Sequence, residues 1–183
     1  MTVFMKHCPN IYERIATGEL PSRLVYTNLK HGVMAILDPM PAAEGHIGVA
    51  SLVCTPSVDA IESSILHNKF STVAKYAGKV LSIAYPEAPY IGELTASNQI
   101  RHPHIHRLPG DEDANWVKRF AKLEDWPRHK LSANHMVDVQ GQLTTPEAIQ
   151  ELWEACDAEV VALGAPDAGT VAAVKELGLI FLN

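Results

Sequence analysis

Residues 102–109 read His-Pro-His-Ile-His-Arg-Leu-Pro, with histidine at every second position of the first five. Side chains alternate across a β-strand, so His102, His104 and His106 share one face when this run is extended. An imidazole carries two polar nitrogens, and each needs a partner once water is removed. Three of them on one strand face make a poor plain core. The bland alternative is a solvated polar face or an accidental cluster, made easier by the nine histidines of the chain. The strict alternation, closed by an apolar residue and a proline, favours a site. Two chemistries fit it. Alternating imidazoles ligate Zn2+ or Cu2+; a neutral imidazole attacks phosphorus while its neighbours orient oxygens or pass protons. The cluster alone leaves both open.

The surrounding pattern is mixed. Residues 11–16 read as a short helix, stopped by Gly18 and Pro21. Residues 24–26 and 33–37 are β-type runs separated by a polar turn, 28–32, which suggests a hairpin. A third strand is expected over 47–53. Residues 58–85 carry apolar residues near helical spacing (Ile61, Ile65, Val73, Ala77, Val80 and Leu81), with Ser57 as the expected N-cap. Strands are expected over 90–96 and 100–108, where Pro103 belongs at a strand edge or start because it lacks an N–H. The order helix, three strands, long helix, two strands is an α+β meander rather than a βαβ repeat. Beyond it, helices are expected over 111–125, 145–156 and 168–177, and strands over 159–163 and 179–182. Thr145 and Pro146 look like a helix start.

Composition narrows the function. A chain of 183 residues with 47% hydrophobic and 20% charged residues can bury a core. Its formal charge of −6 argues against a general DNA or RNA binder, which needs Lys and Arg to neutralise phosphates. It leaves a small nucleotide open. Cys8, Cys54 and Cys156 are odd in number, scattered and without a CxxC pair, so no disulfide framework is expected and a reducing cytoplasm is. Residues 1–7 hold no long apolar run and no signal peptide is expected. No stretch approaches the ~20 apolar residues of a membrane span.

Three blocks decide between the chemistries. Residues 10–22, Asn-Ile-Tyr-Glu-Arg-Ile-Ala-Thr-Gly-Glu-Leu-Pro-Ser, are followed by Val25 and Tyr26. Residues 35–46 contain Asp38, Pro41, Gly45 and His46. The third block is 102–109. In this order and spacing they resemble the histidine-triad family, over about residues 10–109. The resemblance implies an antiparallel sheet meander with a short N-terminal helix and one long helix in residues 1–110; the elements beyond it are read as a C-terminal α/β extension over 111–183 packed on that domain. It implies that His104 is the nucleophile toward an α-phosphate, flanked by His102 and His106, with His46 converging as a fourth histidine. Asp38 would accept from ribose hydroxyls, against a bland reading as a turn residue before Pro39. Tyr12, Ile15 and Ile36 would line the base pocket, against a reading as plain core. It also implies a homodimer formed through the long helix and a neighbouring strand.

The sequence departs from the family in four places. Some relatives carry a zinc site with two cysteines where this chain has Asn10 and Glu13. Cys8 is out of register, and 50–53 lacks the usual downstream histidine, so no metal and no cofactor are expected. The stretch before the triad is short. Asn98 and Gln99 are its nearest phosphate-binding candidates, and Arg101 could add a charge. Pro103 matches the His-Pro-His of the superfamily's nucleotidyl-transferase branch, but that branch carries Gln where this chain has His106, which fits hydrolases better. Arg107 replaces an apolar residue and should face away from the triad. His7, His31, His67, His129 and His135 read as surface residues.

The expected protein is a nucleotide hydrolase acting on a phosphoramidate, a dinucleoside polyphosphate or a similar ester. The alternatives are a nucleotidyl transferase and a nucleotide-binding regulator without turnover. A cupin-type metalloenzyme is disfavoured by the long helical segment.

Overall fold

The computed structural model describes residues 11–20, 22–39, 41–95, 102–110 and 132–179. The expected helix over 111–125, all but the first residue of the strand expected over 179–182, and Asn98, Gln99, Arg101, His7 and His129 lie outside them.

Every residue of β2 (Val33–Leu37) is buried, which requires cover on both faces of the sheet. Val33, Ala35 and Leu37 enter one apolar cluster, and Met34 and Ile36 enter another on the opposite side. Around β2 lie β1 (Arg23–Asn28), β3 (Ile47–Ser51), β4 (Ile91–Thr95) and β5 (His104–Pro109). All pairings are antiparallel, in the order β1-β2-β3-β5-β4. The α+β architecture is the expected one. The order adds that the last hairpin docks through its second strand, so the histidine strand is interior and paired on both sides. Ala50 sits opposite His104 and Gly48 opposite His106, and these small residues leave width for two rings. Pro103 precedes β5; its carbonyl, the only backbone hydrogen-bonding group it has, accepts from Ser51 N at 3.2 Å.

The first face is covered by α2 (Ser64–Ala84), through Leu66, Phe70, Val73, Ala74, Ala77, Val80 and Leu81. The helix starts later than expected. Ser63, not Ser57, is the N-cap, its hydroxyl accepting from Leu66 N at 3.1 Å while donating to Asp167. Ser57 heads only a short 3-10 turn, Val58–Ala60, without a side-chain bond, because Ile61 turns extended. Gly78 lets Arg107 lie against α2: a Cβ there would fall 2.1 Å from its guanidinium. Arg107 therefore faces away from the triad, as expected, and pairs with Glu93.

After α3 (Ala133–Gln142) comes α4 (Glu147–Ala162), which ends six residues later than expected. Glu159 to Leu163 is not a strand. The paired β-branched Val160 and Val161 suggested one, but Ile149, Trp153, Cys156 and Val160 form a single helical stripe that packs into the α2 cluster. Thr145 does not cap this helix; its hydroxyl bonds Gly141 O, and Pro146 takes the N-cap position. Then α5 (Ala168–Glu176), capped by Asp167 on Thr170 N, carries Val174 to the second face, where it meets Tyr12 and Ile15 of α1 (Ile11–Ala16). Leu179 has no regular structure.

His31 is buried rather than on the surface. Its Nδ1 lies 2.5 Å from Lys69 Nζ, which also donates to Gly164 O at 2.5 Å. Lys69 itself is 1% exposed. Burial first, and the Lys69 charge second, lower the His31 pKa, so the ring accepts from the ammonium as a neutral imidazole.

Trp153 joins these parts. Its ring stacks on Tyr26 at 5.1 Å, and its Nε1 donates to Leu143 O at 3.0 Å. Trp153→Ala should cost about 3–5 kcal/mol, read from the denaturant midpoint, because it leaves a large cavity and an unpaired carbonyl. A loss within the ordinary ±0.5 kcal/mol of a surface change would contradict a shared core.

Candidate active site

The sequence-derived residues converge on the α1 side of the sheet. His104 and His106 project from β5 opposite Ala50 and Gly48 of β3. His102 stands just before the strand. Tyr12 lies over this row, its ring stacked 5.4 Å from His102 and tilted 5.4 Å from His104. Ile15 and Ile36 join Tyr12, Met34, Ala50, Leu52 and Val174 in the adjoining apolar cluster. All four histidines are buried.

Three of the four rings are held by backbone groups whose donor or acceptor role is fixed. A carbonyl only accepts, so His102 donates from Nε2 to Ser51 O at 2.5 Å. His104 donates from Nδ1 to His102 O at 2.7 Å. One proton on Nδ1 leaves a lone pair on His104 Nε2. His46 enters from the β2–β3 loop. Its N bonds Ala43 O at 3.2 Å, its O accepts from Asp38 N at 2.8 Å, and its Nδ1 accepts from Ala42 N at 3.2 Å. Its Nε2 is 2.8 Å from His106 Nδ1. The loop can make this turn because Gly45 has φ +78°, and because a Cβ there would fall 2.4 Å from the Tyr85 ring. Glu44 tethers it further to His135 of α3 at 2.8 Å. The glycine was legible in the sequence. The Ala42 amide, the Ser51 carbonyl and Tyr85 were not, since backbone partners leave no compositional signal.

Burial governs the protonation. It pushes His102 down to about 4, against the raising effect of its bond to Ser51. His104 is also lowered by burial, opposed by its bond to His102 and by Asp38. His46 and His106 are lowered by burial and by neighbouring imidazoles. Asp38 Oδ2 lies 3.7 Å from His46 Nε2 and 3.6 Å from His106 Nδ1, but with neutral rings these contacts are not ion pairs. The Asp38 side chain is 14% exposed and sits at the rim. A separate open depression, lined by Tyr26, Thr27, Trp153, Glu154, Asp157 and Ala158, holds no imidazole, so the chemistry stays with the histidines.

Comparison with protein-family models finds no match, and comparison with curated proteins finds none. Solved structures do match. A hypothetical histidine triad nucleotide-binding protein from Sulfolobus tokodaii strain7 superposes with a TM-score of 0.61 and 22% identity, over 80% of this chain and 93% of that one. A Hit-like protein involved in cell-cycle regulation, from Bartonella henselae, gives 0.60 and 19%, over 75% and 96%. The chain has the histidine-triad fold.

Within this histidine-triad fold, Asp38, His46 and His106 are the described residues whose ligand-type atoms cluster, all within 4.8 Å of one another. The point equidistant from the three atoms lies about 2.0 Å from each, the length of a zinc–ligand bond. The tautomer of His46 argues against a metal there. The Ala42 N–H can only donate, so the ring proton of His46 sits on Nε2, where a metal needs the lone pair. EDTA should leave turnover unchanged, and elemental analysis should find substoichiometric zinc. A full equivalent of zinc that disappears in Asp38→Ala would contradict the assignment.

The same burial makes the fold sensitive to acid. In the unfolded chain each of these histidines takes up a proton near about pH 6.5. In the folded chain each does so only at a lower pH, because burial disfavours the charged ring. Their contribution to stability is present above the unfolded value and is lost as the pH falls toward the folded ones. The unfolding midpoint should therefore drop between pH 7 and 5, less steeply in His46→Gln. A flat midpoint across that interval would mean that the rings are not buried and neutral.

Proposed function

We propose that the chain is a histidine-triad nucleotide hydrolase in which His104 Nε2 attacks the α-phosphate of a small nucleotide. One observation carries this reading. The His104 Nδ1–H bond to the His102 carbonyl, at 2.7 Å, leaves the Nε2 lone pair available on a ring kept neutral by burial. A neutral imidazole is a competent nucleophile near pH 7 without an external base. The N–P bond forms as the bond to the leaving group breaks. The resulting nucleotidyl imidazolium keeps its Nδ1 proton on the His102 carbonyl, and water then releases the nucleoside monophosphate.

The other roles belong to the same proposal. Asp38, at the rim, accepts from the ribose hydroxyls. Tyr12, Ile15 and Ile36 supply apolar contacts for the base. A nucleotidyl transferase would share the first step and differ in the acceptor. Pro103 favours that second reading because it completes a His-Pro-His run that resembles the superfamily's nucleotidyl-transferase branch.

The test is mass spectrometry after brief mixing with an adenosine phosphoramidate and, separately, a dinucleoside polyphosphate. Wild type should gain a nucleotide-sized mass or release nucleoside monophosphate with at least one of them. His104→Gly should form no adduct and lose turnover by about 10³-fold or more. Neither adduct nor product with either substrate would sink the hydrolase reading. Appearance of product only when a second acceptor is added would favour the transferase.

A further inference from the structure

His104 is 4% exposed, yet a nucleophile has to meet the phosphorus it attacks. Something above it must move. The sheet is a poor choice: β5 is paired to β3 on one side and to β4 on the other, and parting either pair breaks strand hydrogen bonds inside the sheet. What lies over the ring is Tyr12. Its ring stacks 5.4 Å from His102 and sits tilted 5.4 Å from His104. Its hydroxyl reaches β3, where a Cβ on Gly48, the residue opposite His106, would fall 3.8 Å from it. Burial first, and the Asp38 charge second, raise the pKa of this phenol, so its outer end also lies within reach of the rim carboxylate. One side chain thus spans the histidine row.

The element that carries Tyr12 can move as a unit. With six residues, α1 is less than two turns long, and a helix this short has little stability of its own. Its closing turn folds back on it: Thr17 N bonds Glu13 O at 3.0 Å, Leu20 N bonds Arg14 O at 2.9 Å, and Arg14 pairs with Glu19 at 2.8 Å. These bonds close within residues 13–20 and survive a swing of the whole unit. Apolar packing presses the unit onto the sheet. Tyr12 and Ile15 share a buried cluster with Val174 of α5, and Leu177 and Leu179 pack against that cluster. Val174 itself is buried.

We propose that α1 is a lid, that Tyr12 closes His104 to solvent between turnovers, and that Val174 is the positioning residue that latches the lid, so that the C-terminal extension sets access to the nucleophile. Its role in turnover rests on the nucleotidyl-transfer reading of His104, whereas the opening is a property of the fold. A nucleotide enters only when the lid is raised. When the lid recloses on it, Tyr12 and Ile15 give the base its apolar contact. The apparent affinity is then the intrinsic affinity scaled by the fraction of open protein. Val174→Ala removes two carbons that touch α1 in the closed state, which should raise the open fraction by about 10-fold.

Diethyl pyrocarbonate acylates a neutral imidazole nitrogen and needs no nucleotide, so its rate at His104, mapped by peptide mass spectrometry, reads the opening directly. At pH 7 wild-type His104 should react far more slowly than the half-exposed His135. Equal rates at the two residues would overturn the closed site. The His104 rate should stay flat between 0 and about 1 M urea, because a swinging lid exposes little surface. A rise of about 10-fold or more over that interval would mean that His104 is reached only by global unfolding, and would overturn the lid. Val174→Ala should speed His104 labelling by about 10-fold, still flat in urea, and leave His135 unchanged. An unchanged His104 rate would overturn the latch. Tyr12→Gly should label faster still; if it fails to fold, Val174→Ala and the urea series decide. In kinetics, Val174→Ala should lower KM by about the factor by which labelling rises, without raising kcat. Faster labelling with an unchanged KM would overturn the lid as the substrate's route. Absence of turnover in wild type would instead sink the hydrolase reading, while labelling continues to judge the lid.

Discussion

Four imidazoles removed from water set the terms for everything around them. Each ring has one donor and one acceptor nitrogen when neutral, and each must meet a group of the opposite kind. The chain meets the demand largely with backbone, through Ser51 O for His102, His102 O for His104 and Ala42 N for His46. Backbone groups cannot change role, so the tautomers are dictated by the course of the chain. An interior strand paired on both sides is what holds β5 steady enough for these short bonds, and the β3 residues Gly48 and Ala50 make room for the rings.

This arrangement produces two different nitrogens side by side. In the proposed hydrolysis the lone pair on His104 Nε2 acts as the nucleophile, while His106 Nδ1 is turned to His46. Identical residue types reach different chemistry only because their other nitrogen faces a carbonyl in one case and a protonated His46 Nε2 in the other. The convergence of Asp38, His46 and His106 has nearly the spacing of a metal site, and the amide of Ala42 argues against a metal there by taking the lone pair of His46 Nδ1.

The C-terminal helices are built into the same core. The α4 stripe of Ile149, Trp153, Cys156 and Val160 shares a cluster with α2, and Val174 of α5 reaches the α1 side. A buried lysine fastens the connection between them. Lys69 of α2 holds the carbonyl of Gly164 and the ring of His31 together, and Asp167 both caps α5 and bonds the cap of α2. Glu44 and His135 link α3 to the loop that carries His46. The extension is thus mechanically continuous with the site.

Local patterns carried much of this in the sequence. Period-two histidines marked a strand face. The apolar spacing over 64–84 marked a long helix. Gly45 before His46 marked a turn, and Arg107 was correctly turned from the triad. Where expectation and structure part, a distant partner is responsible. Ser63 outcompetes Ser57 as a cap because Asp167, far along the chain, supports it. His31 is buried because Lys69 covers it. Val160 and Val161 are helical because their neighbours need α2. By itself the sequence determined the elements, the shared face of His102, His104 and His106, and the resemblance that named their chemistry, because these depend on residue type and short-range period. Only the tertiary structure decided which ring nitrogen holds each proton, since that depends on a carbonyl or an amide brought alongside by folding, and backbone groups are the same at every position of a sequence.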